Sequence, residues 1–305
     1  MHPFMNNRAS YPTPSNQRSA TTGKEPSVSI LKYNSPWIKS PKPNPGAKLR
    51  LFCFPYAGGG ALTYRSWPEA LPVEVEVCPV QLPGHESRLR EPAFERLGPL
   101  VDALVPELLP FLDRPFAFFG HSMGAMIGFE VARRLRAGGV GGPQHMFVSG
   151  RRAPQLPPKR ERQTYDLPEA EFIEELGRLN GTPREVLEHP ELLELMLPIL
   201  RADFSISQTY AFTPGEPLNI PFTVLGGLED EDVPRTSLEA WREQTNDPFK
   251  LHMLPGDHFF VHSARTRICH LVSEELKNLL RRSYQRVQPF HLRAGASLSK
   301  ETHAA

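Results

Sequence analysis

Residues 118–126 read FFGHSMGAM and set Ser122 between Gly120 and Gly124. The preceding FAFF reads as a strand and the following MIGFEVARRLRA as a helix, so the serine falls on the turn between them. A sharp strand-to-helix turn crowds the backbone around its central residue. Side chains two places before and after would collide with neighbouring elements, and glycine removes them. The serine is then held in a strained conformation with its hydroxyl exposed, at a helix N-terminus whose dipole and free amides favour negative charge. A chance Gly-x-Ser-x-Gly occurs in roughly one chain in ten of this length. The strand–turn–helix context, more than the motif, therefore carries the reading of Ser122 as a nucleophile.

A serine hydroxyl needs a base. In folds that use this turn, the partners follow in the order serine, acid, histidine. Among the later histidines, His258 in LPGDHFF lies just past a strand, on a loop that could reach the elbow. His145 and His252 fall in or at strands, His189 falls in a helical stretch, and His262 reads as a packing or solvated residue of the next helix. His121, beside the serine, should point away from it. The acid should close the preceding strand, where LEDEDVP offers Glu229, Asp230, Glu231 and Asp232. The spacing D-x-x-V-P favours Asp230, with Asp232 as runner-up; a carboxylate here would fix the imidazole tautomer and stabilise the imidazolium. An oxyanion would need backbone donors. The amide of Met123 is one, and the amide of Ala57, in the glycine-rich FPYAGGGA, is assigned as the other.

These residues need a scaffold that brings distant loops together, and the chain supplies an alternation of elements. Short apolar runs at 50–55, 73–80, 115–121, 144–150, 220–227 and 249–256 are each bounded by turn signals and read as strands. Helical periods fall between them, at 96–112, 125–138, 236–244 and 265–282. Strands alternating with helices predict an α/β fold, a mostly parallel sheet covered on both faces. The alternation breaks once. Residues 154–217 hold no good strand but two stretches of helical spacing, expected to form a lid over the site.

The 305 residues carry a formal net charge of +1 and are 39% hydrophobic. The charge gives no reason to expect nucleic acid, and no stretch approaches the ~18 apolar residues of a membrane span. The first residues lack the apolar core of a signal peptide. Cys53, Cys78 and Cys269 are far apart with no CxxC, so buried thiols are expected, with no metal site. Together these features predict a cytoplasmic location. Residues 1–47 are rich in proline and polar residues and read as a disordered leader, although the aromatics of ILKYNSPWI (30–38) are unusual for a free tail. Residues 48–283 form the expected domain, and 284–305 a flexible tail.

LFCFPYAGGGALTYRSW, VQLPGHESRLREP, RPFAFFGHSMGAMIGFEVARRL, MFVSGRRAP, LNGTPREVL, LPILRADFSISQTY and LPGDHFF together resemble the type II thioesterases. These are the stand-alone editing enzymes of nonribosomal peptide and polyketide synthases. The match spans about residues 47–283. It implies an α/β-hydrolase fold with a flexible helical lid. It also implies hydrolysis of acyl or aminoacyl thioesters from the phosphopantetheine arms of acyl or peptidyl carrier proteins. Ser122, His258 and Asp230 would be the triad, and no cofactor of the enzyme's own would be needed. A medium-chain fatty acyl thioesterase, or an acyltransferase or cyclase using the same acyl-enzyme, is the alternative. A monomer is expected. An apolar acyl pocket is expected around 192–204, including Met196 and Leu200. Arg151, Arg152, Arg160 and Arg162 are candidates for docking an acidic carrier protein. His85 departs from the resemblance, which implies arginine there, and is read as a surface-loop residue.

Overall fold

The computed structural model describes residues 35–157, 163–179 and 189–287, with side chains to residue 282. Six strands form one sheet: β1 (Leu49–Phe54), β2 (Val75–Pro79), β3 (Phe116–His121), β4 (Met146–Ser149), β5 (Phe222–Gly227) and β6 (Phe249–Leu254). Their order is β2-β1-β3-β4-β5-β6, and every neighbouring pair is parallel. Each expected strand is present, within two residues at either end.

Strands β1 to β5 are buried along their whole length, as a parallel sheet covered on both faces requires. The alternating VEVEVCPV therefore does not mark a half-solvated strand. Glu76 in β2 is buried and takes the Nε of Arg50, from neighbouring β1, at 2.9 Å. Arg50 is itself 2% exposed and also donates to the Phe111 carbonyl at 2.6 Å. Charge that reads as a solvent face is spent on an internal ion pair.

Side chains two apart on a strand share a face. Phe52, Phe54 and Phe118 pack with α1 (Leu97–Leu108) and α2 (Met123–Ala137) in one core cluster. Leu51, Cys53 and Phe119 pack on the other face with the helix Arg265–Val287. All three cysteines are free and buried.

Among the described residues, two helices stand between β4 and β5: α3 (Glu169–Leu179) and α4 (Pro190–Thr209). Their mutual contact is a small cluster of Phe172, Leu176, Leu197 and Leu200. The short helices α5 (Arg235–Glu239) and α6 (Phe260–Ser263) follow β5 and β6, and α7 is the long helix Arg265–Val287.

The boundaries at both ends differ from expectation. Residues 35–47, placed with the leader by their composition, include a segment seated on the body. Trp37 and Ile38 are buried, Ile38 bridges Val80, and the Lys39 amide donates to the Pro79 carbonyl at 2.9 Å. The Arg88 guanidinium lies 4.3 Å over the Trp37 ring. Two large apolar side chains suffice to seat a proline-rich run that has no period of its own. Helix α7 continues through Val287, past the expected start of the tail. The rest of both expected tails lies outside the described residues.

Candidate active site

The elbow is built by close approach. A Cβ on Gly120 would sit 2.5 Å from the Cα of Ala125, and one on Gly124 would sit 2.6 Å from the Pro55 carbonyl oxygen. Either contact is far inside van der Waals separation. With both positions bare, β3 turns directly into α2, and Ser122 adopts φ 51° and ψ −115°. A non-glycine residue with positive φ costs about 1–3 kcal/mol. Here the neighbours impose it: the Ser122 amide donates to the Ser149 carbonyl at 2.8 Å, and the Ser122 carbonyl accepts from Ala125 at 3.1 Å.

Two further loops at the carboxyl edge of the sheet meet this turn. His258 follows β6, and its Nε2 lies 3.0 Å from Ser122 Oγ. Asp230 follows β5, and its Oδ2 lies 2.8 Å from His258 Nδ1. The other oxygen of Asp230 accepts the amides of Asp232 and Val233, each at 3.0 Å. A carboxylate can only accept, so Nδ1 carries the ring proton and Nε2 is left to take a proton from the serine hydroxyl. The geometry separates the two candidate acids. Asp232 Oδ2 instead lies 3.5 Å from Nη2 of Arg178 on α3.

The other two histidines near the serine have structural partners. His121 is fully buried with its Nδ1 2.9 Å from Ser149 Oγ. Burial, reinforced by the nearby His258, holds its pKa well below the ordinary value and keeps it neutral. His262 Nε2 lies 2.8 Å from the Tyr56 hydroxyl.

Ala57 lines the same cavity as Ser122 and His258. Met123 is the first residue of α2, where a backbone amide has no carbonyl partner within the helix. The cavity measures about 400 Å³, and Met126, Leu176, Leu179, Leu200, Phe204 and Trp241 contribute apolar wall. Leu200 and Phe204 of the inserted helix line the cavity, as expected of an apolar wall there. Met196 instead packs against the small cluster between α3 and α4, and Leu192 is 45% exposed. Met126 and Trp241 escaped the sequence reading because they come from elements outside the insertion, and only the fold turns them towards the serine. A wider groove of about 870 Å³ shares Leu156, Gln208 and Tyr210 with this cavity but contains none of Ser122, Asp230 and His258.

Three other expectations change. Arg151 is half-buried rather than on the open surface. It lines the cavity, with Nη2 3.2 Å from Met126 Sδ and 3.3 Å from the Ser207 carbonyl, and burial lowers its pKa to about 10. Arg152 lines the cavity too, while Arg160 and Arg162 lie outside the described residues. His85 is not a surface-loop residue: it is 3% exposed and bonded to Asp203 of α4.

Among the described residues no cluster of three histidine, cysteine, aspartate or glutamate side chains could hold a metal ion. No helix among them is long and apolar enough to cross a membrane.

Residues 49–276 match the thioesterase domain family. The chain is 47% identical to a protein of Brevibacillus parabrevis named linear gramicidin dehydrogenase LgrE, over 81% of this chain and 94% of that one. It is 45% identical to the gramicidin S biosynthesis protein GrsT of Aneurinibacillus migulanus, over 83% and 98%. Among solved structures it is similar to the type II thioesterase BorB from the borrelidin biosynthetic cluster. The TM-score is 0.72 and the identity 35%, covering 79% of this chain and 97% of BorB. With a serine elbow, a histidine and a carboxylate joined at the edge of a parallel sheet, and with the family match running from β1 into α7, this chain belongs to the thioesterase family.

Proposed function

We propose that the chain is a type II thioesterase that hydrolyses acyl or aminoacyl groups from the phosphopantetheine arms of carrier proteins, and so clears a nonribosomal peptide or polyketide synthase of stalled groups. The observation that carries the chemistry is the continuous chain Ser122–His258–Asp230, at 3.0 and 2.8 Å, opening into an apolar cavity. The names of GrsT and BorB, both tied to natural-product assembly, support the choice of substrate.

In this reading Ser122 Oγ attacks the thioester carbonyl carbon while His258 Nε2 takes its proton. The C=O π pair moves onto oxygen, and the amides of Ala57 and Met123 receive the resulting oxyanion. Collapse of the tetrahedral species breaks the C–S bond, and the imidazolium returns the proton to the departing thiol. Water, deprotonated by His258, then attacks the acyl-enzyme. A second collapse releases the free acid and restores Ser122. Asp230 holds the imidazole orientation and stabilises the imidazolium in both halves. The scheme calls on no metal or organic cofactor; the phosphopantetheine belongs to the carrier. Helices α3 and α4 act as the lid. The chain works as a monomer in the cytoplasm, where carrier proteins are its partners.

The test is release of acyl groups from a panel of loaded carrier proteins, beside the same groups on coenzyme A or N-acetylcysteamine, with products identified by mass spectrometry. Faster turnover on carriers across several acyl groups, yielding free acid, supports the reading. Equal turnover on the free thioesters removes the carrier protein from the account, and an ester or ring product replaces hydrolysis with acyl transfer.

A further inference from the structure

The chain buries a second histidine–carboxylate pair that the reaction above does not use. His85 lies in the loop after β2, and Asp203 lies on α4; they are 3% and 1% exposed. His85 Nε2 is 2.8 Å from Asp203 Oδ2, and the same oxygen accepts the backbone amide of Gly58 at 2.7 Å. Gly58 directly follows Ala57. The other ring nitrogen, Nδ1, is 2.9 Å from the Pro83 carbonyl.

Both nitrogens of His85 therefore face acceptors. A neutral imidazole has one donor and one lone pair, so either tautomer would set a lone pair against an oxygen. The imidazolium, with two donors, satisfies both contacts and places a positive charge beside the Asp203 carboxylate. One proton points to Pro83 and one lies between the two side chains.

We infer that the charged His85–Asp203 pair is a positioning device, which holds the Gly58 amide and so sets the backbone turn that presents the Ala57 amide to the oxyanion. This inference rests on the oxyanion role proposed for Ala57. It ties three separate segments together: the loop after β1, the loop after β2, and helix α4. When the pair loses its shared proton, Oδ2 faces a ring lone pair, the hold on Gly58 weakens, and the donor leaves its place.

The surrounding charges favour the protonated state. Burial alone would lower the pKa of His85, but the charge and hydrogen bond of Asp203, the Pro83 carbonyl and the neighbouring Glu86 outweigh it and raise it above the ordinary value. Arg88, in the same loop, spends its guanidinium on Glu91, the Gln81 carbonyl and the Trp37 ring. On α4, Arg201 donates to the Tyr165 carbonyl and stacks on Phe172. The sign follows from the raised pKa. The hold is complete below the ordinary histidine value of about 6.5 and is lost as pH rises through the higher value in the folded protein.

Two measurements test this. Histidine-resolved NMR of the full chain between pH 5 and 9 reads the protonation of His85 without any substrate. The imidazolium should persist above pH 6.5 in the wild type and be lost at neutral pH in Asp203→Asn, whose amide supplies a donor of its own. In the second measurement, kcat/KM for a carrier-bound thioester is followed against pH. The wild type should lose activity on the alkaline side. His85→Arg, a cation that does not titrate in this range, and His85→Gln, a neutral donor, should both flatten that limb, with the glutamine variant about tenfold lower in kcat. If His85 titrates at or below its ordinary value, or if both variants keep the alkaline limb of the wild type, the inference is wrong. If the wild type turns over no thioester at all, the proposed function fails, while the NMR arm still decides the state of His85.

Discussion

The turn at Ser122 and the helices α3 and α4 inserted after β4 line one cavity, and they are held by different means. Helix α2, which starts at the turn, buries ten of its fifteen residues. Helix α3 buries two of eleven, Phe172 and Leu176. Helix α4 lies between these extremes: its buried residues run from Leu197 to Ile206, while Leu192 and Leu195 nearer its start are 45% and 49% exposed. Pro198 stands where the held part begins, and it removes one hydrogen bond of the helix ladder. Chemistry that needs fixed distances sits on the packed side. The side formed by α3 and α4 rests on a small cluster, and few buried contacts mean lower local stability.

The buried histidines follow the same division. In β3 and just before β4, His121 and His145 are kept neutral by burial; the Nε2 of His145 meets Thr223 Oγ1 at 2.9 Å. Under α4, His85 is kept charged by Asp203. Acid should therefore strain the core, and alkali should loosen the cover.

The largest effect is expected from Ser122→Ala. It should remove about 10⁶-fold of turnover and leave the unfolding midpoint nearly unchanged, because the neighbours that force the turn remain. Unaltered turnover would end the elbow reading. Asp230→Asn should cost about 10⁴-fold in kcat through loss of the correct tautomer, whereas Asp232→Asn should keep most of the rate; steady-state kinetics of the two variants separates them. On the cover, Leu200→Asp should raise KM for acyl substrates about tenfold or more, and Leu192→Asp should not. Equal effects of the two would mean that the start of α4 also closes on the acyl group.

The smallest effect is on stability. The pKa of His145 is lowered to about 4, largely by burial. The native state then binds fewer protons than the unfolded one, so stability is full above about 6.5 and falls as pH drops towards 4. His145→Gln should reduce that slope in urea unfolding measured at pH 7 and pH 5. A slope identical to wild type would remove His145 from the acid sensitivity of the core.

What the sequence determined by itself was whatever depends on local sterics and chain order. Glycines two places either side of Ser122 already state that backbone will pass where side chains would be. Runs of apolar residues between turns already state six strands, five of them buried along their whole length. The order serine, acid, histidine narrows the partners to residues at strand ends. Tertiary structure decided what depends on which distant groups share a space. Asp230 and Asp232 are equivalent as letters; they differ because one carboxylate faces His258 while the other points to Arg178. Trp37 and Ile38 in a proline-rich run became part of the body because the chain beside Val80 could receive them. Arg151 turned inward onto Met126 and the Ser207 carbonyl. His85, unremarkable in its own loop, acquired a role only when α4 brought Asp203 between it and Gly58. Local pattern fixes the conformation of a segment. The charge state and task of a buried polar group are fixed by partners far away in the chain, and only folding brings those together.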